Sequence, residues 1–246
     1  MQVSDEQQTD SGNRVKAIPQ LGDAQSDAAD SRESVARQRK RRSELIMLSK
    51  GVPIDPALPP MDCSVDLAPR RRQDIALRAL CVLMTAIKAD RMHQTMVLRV
   101  VRQYGLAAYF SPSEKNFIRE LDPPNAAKMQ FSWRYESAWV LLWALGYVEK
   151  LESPARRCDS DFAVGSMREK TRQSFIAEAS LRPLEQILDQ ADLAYRYRCS
   201  LVQTATENGS PSVNLNAAIV FERHHAFNWL IRYSDRDWDE AAADEA

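Results

Sequence analysis

Glycine is scarce in this chain, seven in 246 residues. Sheet-rich folds spend glycine on tight turns, so the shortage points towards helices. It also leaves no G-x-G-x-x-G or Walker-type loop to cradle a phosphate, which argues against a nucleotide-binding fold. No G-x-S-x-G elbow is present to expose a nucleophilic serine. The four cysteines (Cys63, Cys81, Cys158, Cys199) are scattered, with no C-x-x-C pair and no histidine at ligand spacing. That excludes the usual zinc frameworks and suits free thiols in a reducing compartment. Long apolar runs are missing too. The longest, Ala138 to Val148, is far short of the ~20 residues of a membrane-spanning helix. Residues 1–30 lack the apolar core of a signal peptide, so a cytoplasmic protein with no membrane partner is expected. An excess of either charge is absent as well. A formal net charge of −1 gives no global field drawing the chain to nucleic acid.

What remains is the apolar content of an ordinary globular domain, 44%, unevenly distributed. Residues 1–32 carry almost no large apolar side chains and are expected to form a disordered polar tail. The basic run Arg37-Gln38-Arg39-Lys40-Arg41-Arg42 then leads into Leu45, Ile46 and Leu48, a helix solvated in its first half and docked in its second. Gly51 ends it, and Pro53, Pro56, Pro59 and Pro60 mark an extended connector.

From Arg71 onwards the spacing is helical. Ile75, Ala76, Ala79, Leu80, Leu83, Met84 and Ile87 share one face, and a second amphipathic stretch from Met92 to Tyr104 closes at Gly105. Ser111-Pro112-Ser113-Glu114 combines a capping box with proline at the first helical position. The segment from about Ala126 to Leu145 is apolar around most of its circumference, which predicts one central helix capped by Gly146. Residues 147–165 read as irregular, with room for a short hairpin. A long helix from Pro183 to about Asn208 and a last one from about Leu215 to Tyr233 complete the chain. The expectation is an all-α, single multi-helix domain of about seven or eight helices over residues 41–240, behind the tail.

Several of these segments form an ordered set of motifs: Phe131-Ser132-Trp133-Arg134-Tyr135-Glu136, Leu141-Leu142-Trp143-Ala144-Leu145-Gly146, Leu181-Arg182-Pro183, Asp192-Leu193-Ala194-Tyr195-Arg196, the stretch Val220 to Leu230, and Trp238-Asp239-Glu240. In this order they resemble the mainly bacterial family called domain of unknown function 4272, over about residues 41–240. The resemblance implies a shared, largely helical domain and supplies no activity. Relatives often follow the Trp-Asp element with a threonine-containing end, where this chain has an alanine-rich acidic one.

The residues with chemical potential are charges inside apolar helices. Arg134 and Glu136 head the Trp-rich segment, and Glu222, Arg223, His224 and His225 lie inside the last helix. Charges are rarely buried unpaired, so the placement predicts ion pairs between helices, Arg134 to Glu222 or Glu136 to Arg223. Two readings fit: a structural network fixing helix register, or a polar pocket in which one carboxylate is a general base and an arginine holds an anion. No catalytic residue is assigned. His224 and His225 point ~100° apart on a helix, whereas a helical metal pair needs i, i+4 spacing, so no metal and no cofactor is expected. Trp238, between aspartates, either folds back as a latch or anchors a partner. The clusters Arg37–Arg42 and Arg70–Arg72 could grip phosphates, but on a neutral chain they suit a solvated face better. With no catalytic motif present, the sequence favours a non-enzymatic regulatory module whose partner is another protein. Its alternatives are a hydrolase or ligand-binding enzyme using the Arg/Glu/His pocket and, third, nucleic-acid binding. Oligomeric state is not readable.

Overall fold

The computed structural model describes residues 21–61, 69–206, 214–232 and 237–241, with 21–32 as backbone only. All regular structure among them is helical: α1 (Leu21–Ser49), α2 (Arg72–Ala89), α3 (Gln94–Tyr104), α4 (Pro112–Arg119), α5 (Asn125–Ser132), α6 (Arg134–Ala144), α7 (Ser160–Arg168), α8 (Arg172–Glu178), α9 (Leu184–Thr206), α10 (Ala217–Leu230) and the single turn α11 (Trp238–Ala241). None is long and apolar enough to cross a membrane.

Two helices form the centre. Every residue of α2 from Ile75 to Ala89 is buried, and so is every residue of α6. A helix buried on all sides must be surrounded. Here α2 and α6 pack on each other, α10 covers α6, α9 covers α10, and α1 lies outermost on α9. Helices α4 and α5 flank α2 on its other side, joined by the stacked rings of Phe117 and Phe131, 4.0 Å apart.

The sequence reading and the structure differ in several places. The count exceeds seven or eight, since α7 occupies part of the segment read as irregular and α8 has no counterpart in the apolar periodicity. No strand forms within 147–165. The central helix of 126–145 is two helices, because at Trp133 the chain tightens to i→i+3 bonds, Trp133 N to Gln130 O and Glu136 N to Trp133 O. Arg157 lies over the Trp133 ring at 3.8 Å, so the break is packed. Of the expected tail, residues 1–20 lie outside the described residues. The α1 backbone is helical from Leu21, earlier than expected, in a stretch where Ala24, Ala28 and Ala29 favour the helix. Cys63 also lies outside the described residues.

The end of α6 shows how local sequence sets the packing. Gly146 adopts φ +79°, and a Cβ there would come within 2.9 Å of the Ser180 carbonyl oxygen. The chain needs that approach because Ser180 and Arg182 donate their backbone N–H groups to Leu145 and Ala144. The Arg182 guanidinium then donates to the carbonyls of Trp143, Val148 and Glu149, placing a cation at the helix C-terminus, where the dipole favours one. Gly146→Ala should therefore lower unfolding free energy by about 1–3 kcal/mol in denaturant titration. An unchanged midpoint would mean the 179–182 segment is not held there.

Candidate functional site

The N-terminal turn of α6 meets the middle of α10. Arg134 and Ser137 are three residues apart on α6, hence on one face, and Glu222 and His225 are three apart on α10. These two faces meet. The Arg134 Nη1 donates to Glu222 Oε2 at 3.3 Å and to His225 Nδ1 at 2.6 Å. The Ser137 hydroxyl also lies against Glu222, 2.5 Å from Oε2 and 2.9 Å from its carbonyl oxygen. Arg223, about 100° further round α10, serves the other side. Its Nε donates to Glu136 Oε2 at 3.0 Å and its Nη1 to the Glu152 carbonyl at 2.6 Å. Glu136 Oε1 accepts from the backbone N–H of Cys158 at 2.7 Å. Both pairings that the charge pattern suggested are thus made, in opposite polarity across one helix contact.

Burial decides what these groups can do. Glu136 and His225 are each 1% exposed, Arg223 5% and Arg134 8%, with Glu222 somewhat more open. A guanidinium can only donate, so His225 Nδ1 must accept from Arg134. Its proton then sits on Nε2 and is donated to the Trp238 carbonyl at 2.8 Å. Burial, and then the Arg134 charge, pushes the imidazole down to about 3. It is neutral near pH 7 and its lone pair is engaged, which suits a structural strut better than a general base. Burial, and next the Glu136 carboxylate, raises the Cys158 thiol well above its ordinary value, so no thiolate nucleophile forms beside the network. His224 does not join its neighbour. It faces Tyr195 and lies 3.3 Å from the Asn228 amide nitrogen. Among the described residues no three potential metal ligands cluster.

Trp238 is 3% exposed. Its ring lies 4.3 Å from His225 and 5.5 Å from Trp229, with the guanidinium groups of Arg78 and Arg134 over it at 5.2 and 5.7 Å. Of the two roles the sequence leaves open for Trp238, this buried position suits the latch. Asp239 fastens the latch. It accepts from both the Ser111 and Ser113 hydroxyls at 2.7 Å and from the Ser113 N–H at 2.9 Å. Burial would raise its carboxyl, but these bonds and the Arg134 charge outweigh that and lower it.

Two comparable buried pairs escape a reading of the sequence. Arg78 donates to Glu114 at 2.7 Å, and Glu114 also accepts from the Ser111 N–H, closing the α4 capping box. Arg196 grips Asp192 with two bonds of 2.9 and 3.1 Å. The i, i+4 spacing of Asp192 and Arg196 inside an apolar face is the available signal. Glu114 is hidden because capping already accounts for it. Part of each basic cluster is tied into the protein: Arg39 to Glu185 and Asp189, Lys40 to two carbonyls, Arg70 to the Trp229 carbonyl and ring.

Residues 39–241 match the model of the family described as Domain of unknown function (DUF4272), and the chain belongs to that family. No curated protein and no solved structure matches it.

Removing one member of a buried pair leaves the other uncompensated, so Glu136→Gln should cost roughly 3–5 kcal/mol of unfolding free energy. A loss under about 1 kcal/mol, the range of surface pairs, would show that the pair does not hold the helices. His225 adds a pH signature. Its folded pKa is depressed from 6.5 to about 3, so the unfolded chain binds the extra proton between those values. The imidazole's contribution is therefore full above pH 6.5 and lost as pH falls towards 3. Denaturant titration from about pH 7 to about pH 4 should show a slope that His225→Gln flattens.

Proposed function

We propose that this DUF4272 member is a non-enzymatic cytosolic protein that works through protein–protein contacts, as an adaptor or regulator, on a scaffold locked by its motif charges. The observation that carries this reading is the mutual engagement of Arg134, Glu136, Glu222, Arg223 and His225. Each is bonded to another of the set or to the backbone, and both nitrogens of His225 and both oxygens of Glu136 are taken. A catalytic carboxylate or imidazole needs a free lone pair facing substrate. Against the nucleic-acid reading, several of the basic side chains that would meet phosphates are tied into the fold. The thiol of Cys81, buried and pushed up to about 12, suits a cytosolic structural cysteine.

One observation favours a second reading, small-ligand binding, at a place other than the α6–α10 contact. A cleft of about 340 Å³ opens beside the latch, lined among others by Arg70, Asp74, Arg78, Tyr109, Trp229 and Trp238. Among the described residues, Arg78 Nε and Trp238 Nε1 are buried with no hydrogen-bond partner. A ligand offering an acceptor would meet that need, as would ordered water.

The experiment is quantitative cross-linking of the tagged full chain at its native level, beside Glu222→Gln. The expected result is a reproducible protein partner captured equally by both. No reproducible partner, together with a turnover or tight small ligand that Glu222→Gln abolishes, would replace this reading with the enzyme one.

A further inference from the structure

Helix α1 is attached by one side only. Ala36, Arg39, Ser43 and Met47 are buried on the side that packs on α9. Met47 joins Val52, Leu193, Tyr197, Leu201 and Val220 in a small apolar cluster apart from the main core. Among the described residues nothing covers the opposite face, whose centre line of Ser34, Gln38, Arg41, Leu45 and Leu48 is exposed throughout. These five follow one another at spacings of four, three, four and three residues. That is the alternation of a heptad seam, in which side chains of one helix seat between those of another.

The apolar end of this seam stands out by its exposure. Leu45 is 66% exposed and Leu48 55%. Four of the eleven exposed large hydrophobic residues among those described, Val35, Leu45, Ile46 and Leu48, fall within fourteen residues of α1. Singly exposed leucines need no explanation, but a row at seam spacing does. Flanking the seam are Arg37 and Arg42, at the positions that set partner choice in helix pairs. Their present partners are Glu33 at 3.3 Å and Asp189 at 2.6 Å. The Arg37–Glu33 pair is exposed at both ends and exchanges at little cost, whereas Asp189 is half-buried and keeps a second cation, Arg39, at 3.3 Å when Arg42 turns away. The one carboxylate between residues 37 and 49, Glu44, follows Arg37 by seven residues but is half-buried and turned to Lys40 at 3.5 Å and Arg196 at 4.0 Å, so cations dominate the exposed face.

We infer that this face of α1 docks one amphipathic helix of another protein, with leucine-type residues on its seam and glutamates or aspartates flanking them. This rests on the interaction-module reading and names its partner by chemistry. Leu45 and Leu48 would fill the partner's seam, and Arg37, Arg41 and Arg42 would meet its carboxylates. A second copy of the chain is a poorer fit, since three arginines would face three more. Nucleic acid would answer the arginines and leave the leucines in water.

The test uses a labelled synthetic helix with a leucine seam and flanking glutamates, and its twin with lysines in place of the glutamates. Fluorescence anisotropy against the full chain should show binding of the acidic peptide at least tenfold tighter than of the basic one. Leu45→Glu with Leu48→Glu should weaken it tenfold or more while leaving Tm unchanged, because both positions are solvent-facing. Arg41→Glu should weaken the acidic peptide and strengthen the basic one, a reciprocal swap that only direct contact produces. Equal binding of the two peptides, or no binding, overturns the inference. So does concentration-dependent self-association abolished by Leu45→Glu, which would make the occupant a second copy. Tighter capture by duplex RNA or by anionic vesicles, lost on the same substitutions, overturns it equally. If cross-linked protein partners persist on the Leu45→Glu/Leu48→Glu chain, the α1 assignment fails and the interaction-module reading stands. If none exists on the parent chain, both fail.

Discussion

The rest of the structure depends on two ion pairs that cross one helix contact in opposite directions. Taking four charges out of water is expensive, and attraction offsets that cost only when the geometry is good and further hydrogen bonds support the pair. Here Ser137, the Cys158 amide, the Glu152 carbonyl and His225 supply that support. An apolar contact of the same size would tolerate sliding or rotation of α10 on α6. The crossed pairs do not, because Arg134 would then meet Arg223 and Glu136 would meet Glu222. Paired in this way, the motif charges suit a single register of α10 on α6 better than apolar burial alone does.

Buried cations of α2 fix helix α4 in a related way. Arg78 reaches from α2 to Glu114 in the first turn of α4, and Lys88 reaches from the end of α2 to the carbonyls of Phe117, Ile118 and Glu120 at the end of α4. Those contacts clamp α4 at both ends, with α2 as the rule against which it is laid. The C-terminal turn is bound into this arrangement through His225, whose tautomer is set by Arg134 and read by the Trp238 carbonyl.

Much of this is legible in the sequence, and what is not has identifiable reasons. Apolar periodicity locates α2, α3, α9 and α10 because those helices bury a consistent face or every face. The capping box at Ser111 and Glu114 marks the start of α4 directly. Burial rules alone bring Arg134 towards Glu222 and Glu136 towards Arg223. The break at Trp133 stays hidden because a change from i→i+4 to i→i+3 bonding leaves no mark on an apolar pattern. Helix α8, seven residues from Arg172 to Glu178 with one buried side chain, Phe175, is too short to show a period. The role of His225 needs coordinates, since spacing alone does not tell which ring nitrogen an arginine will occupy. Trp238 illustrates the same limit: composition allows an inward or an outward indole, and only packing decides.

The separate apolar cluster beneath α1 has a consequence for how the molecule breathes. Cooperativity travels through shared contacts, and α1 shares few with the α2–α6 centre. Its amides rest on a half-dozen apolar side chains and a few ion pairs, so they are expected to open as a smaller unit below the free energy of global unfolding. The molecule is in this sense two-tiered, with a rigid interior that sets positions and an outer helix able to leave and return while that interior stays folded.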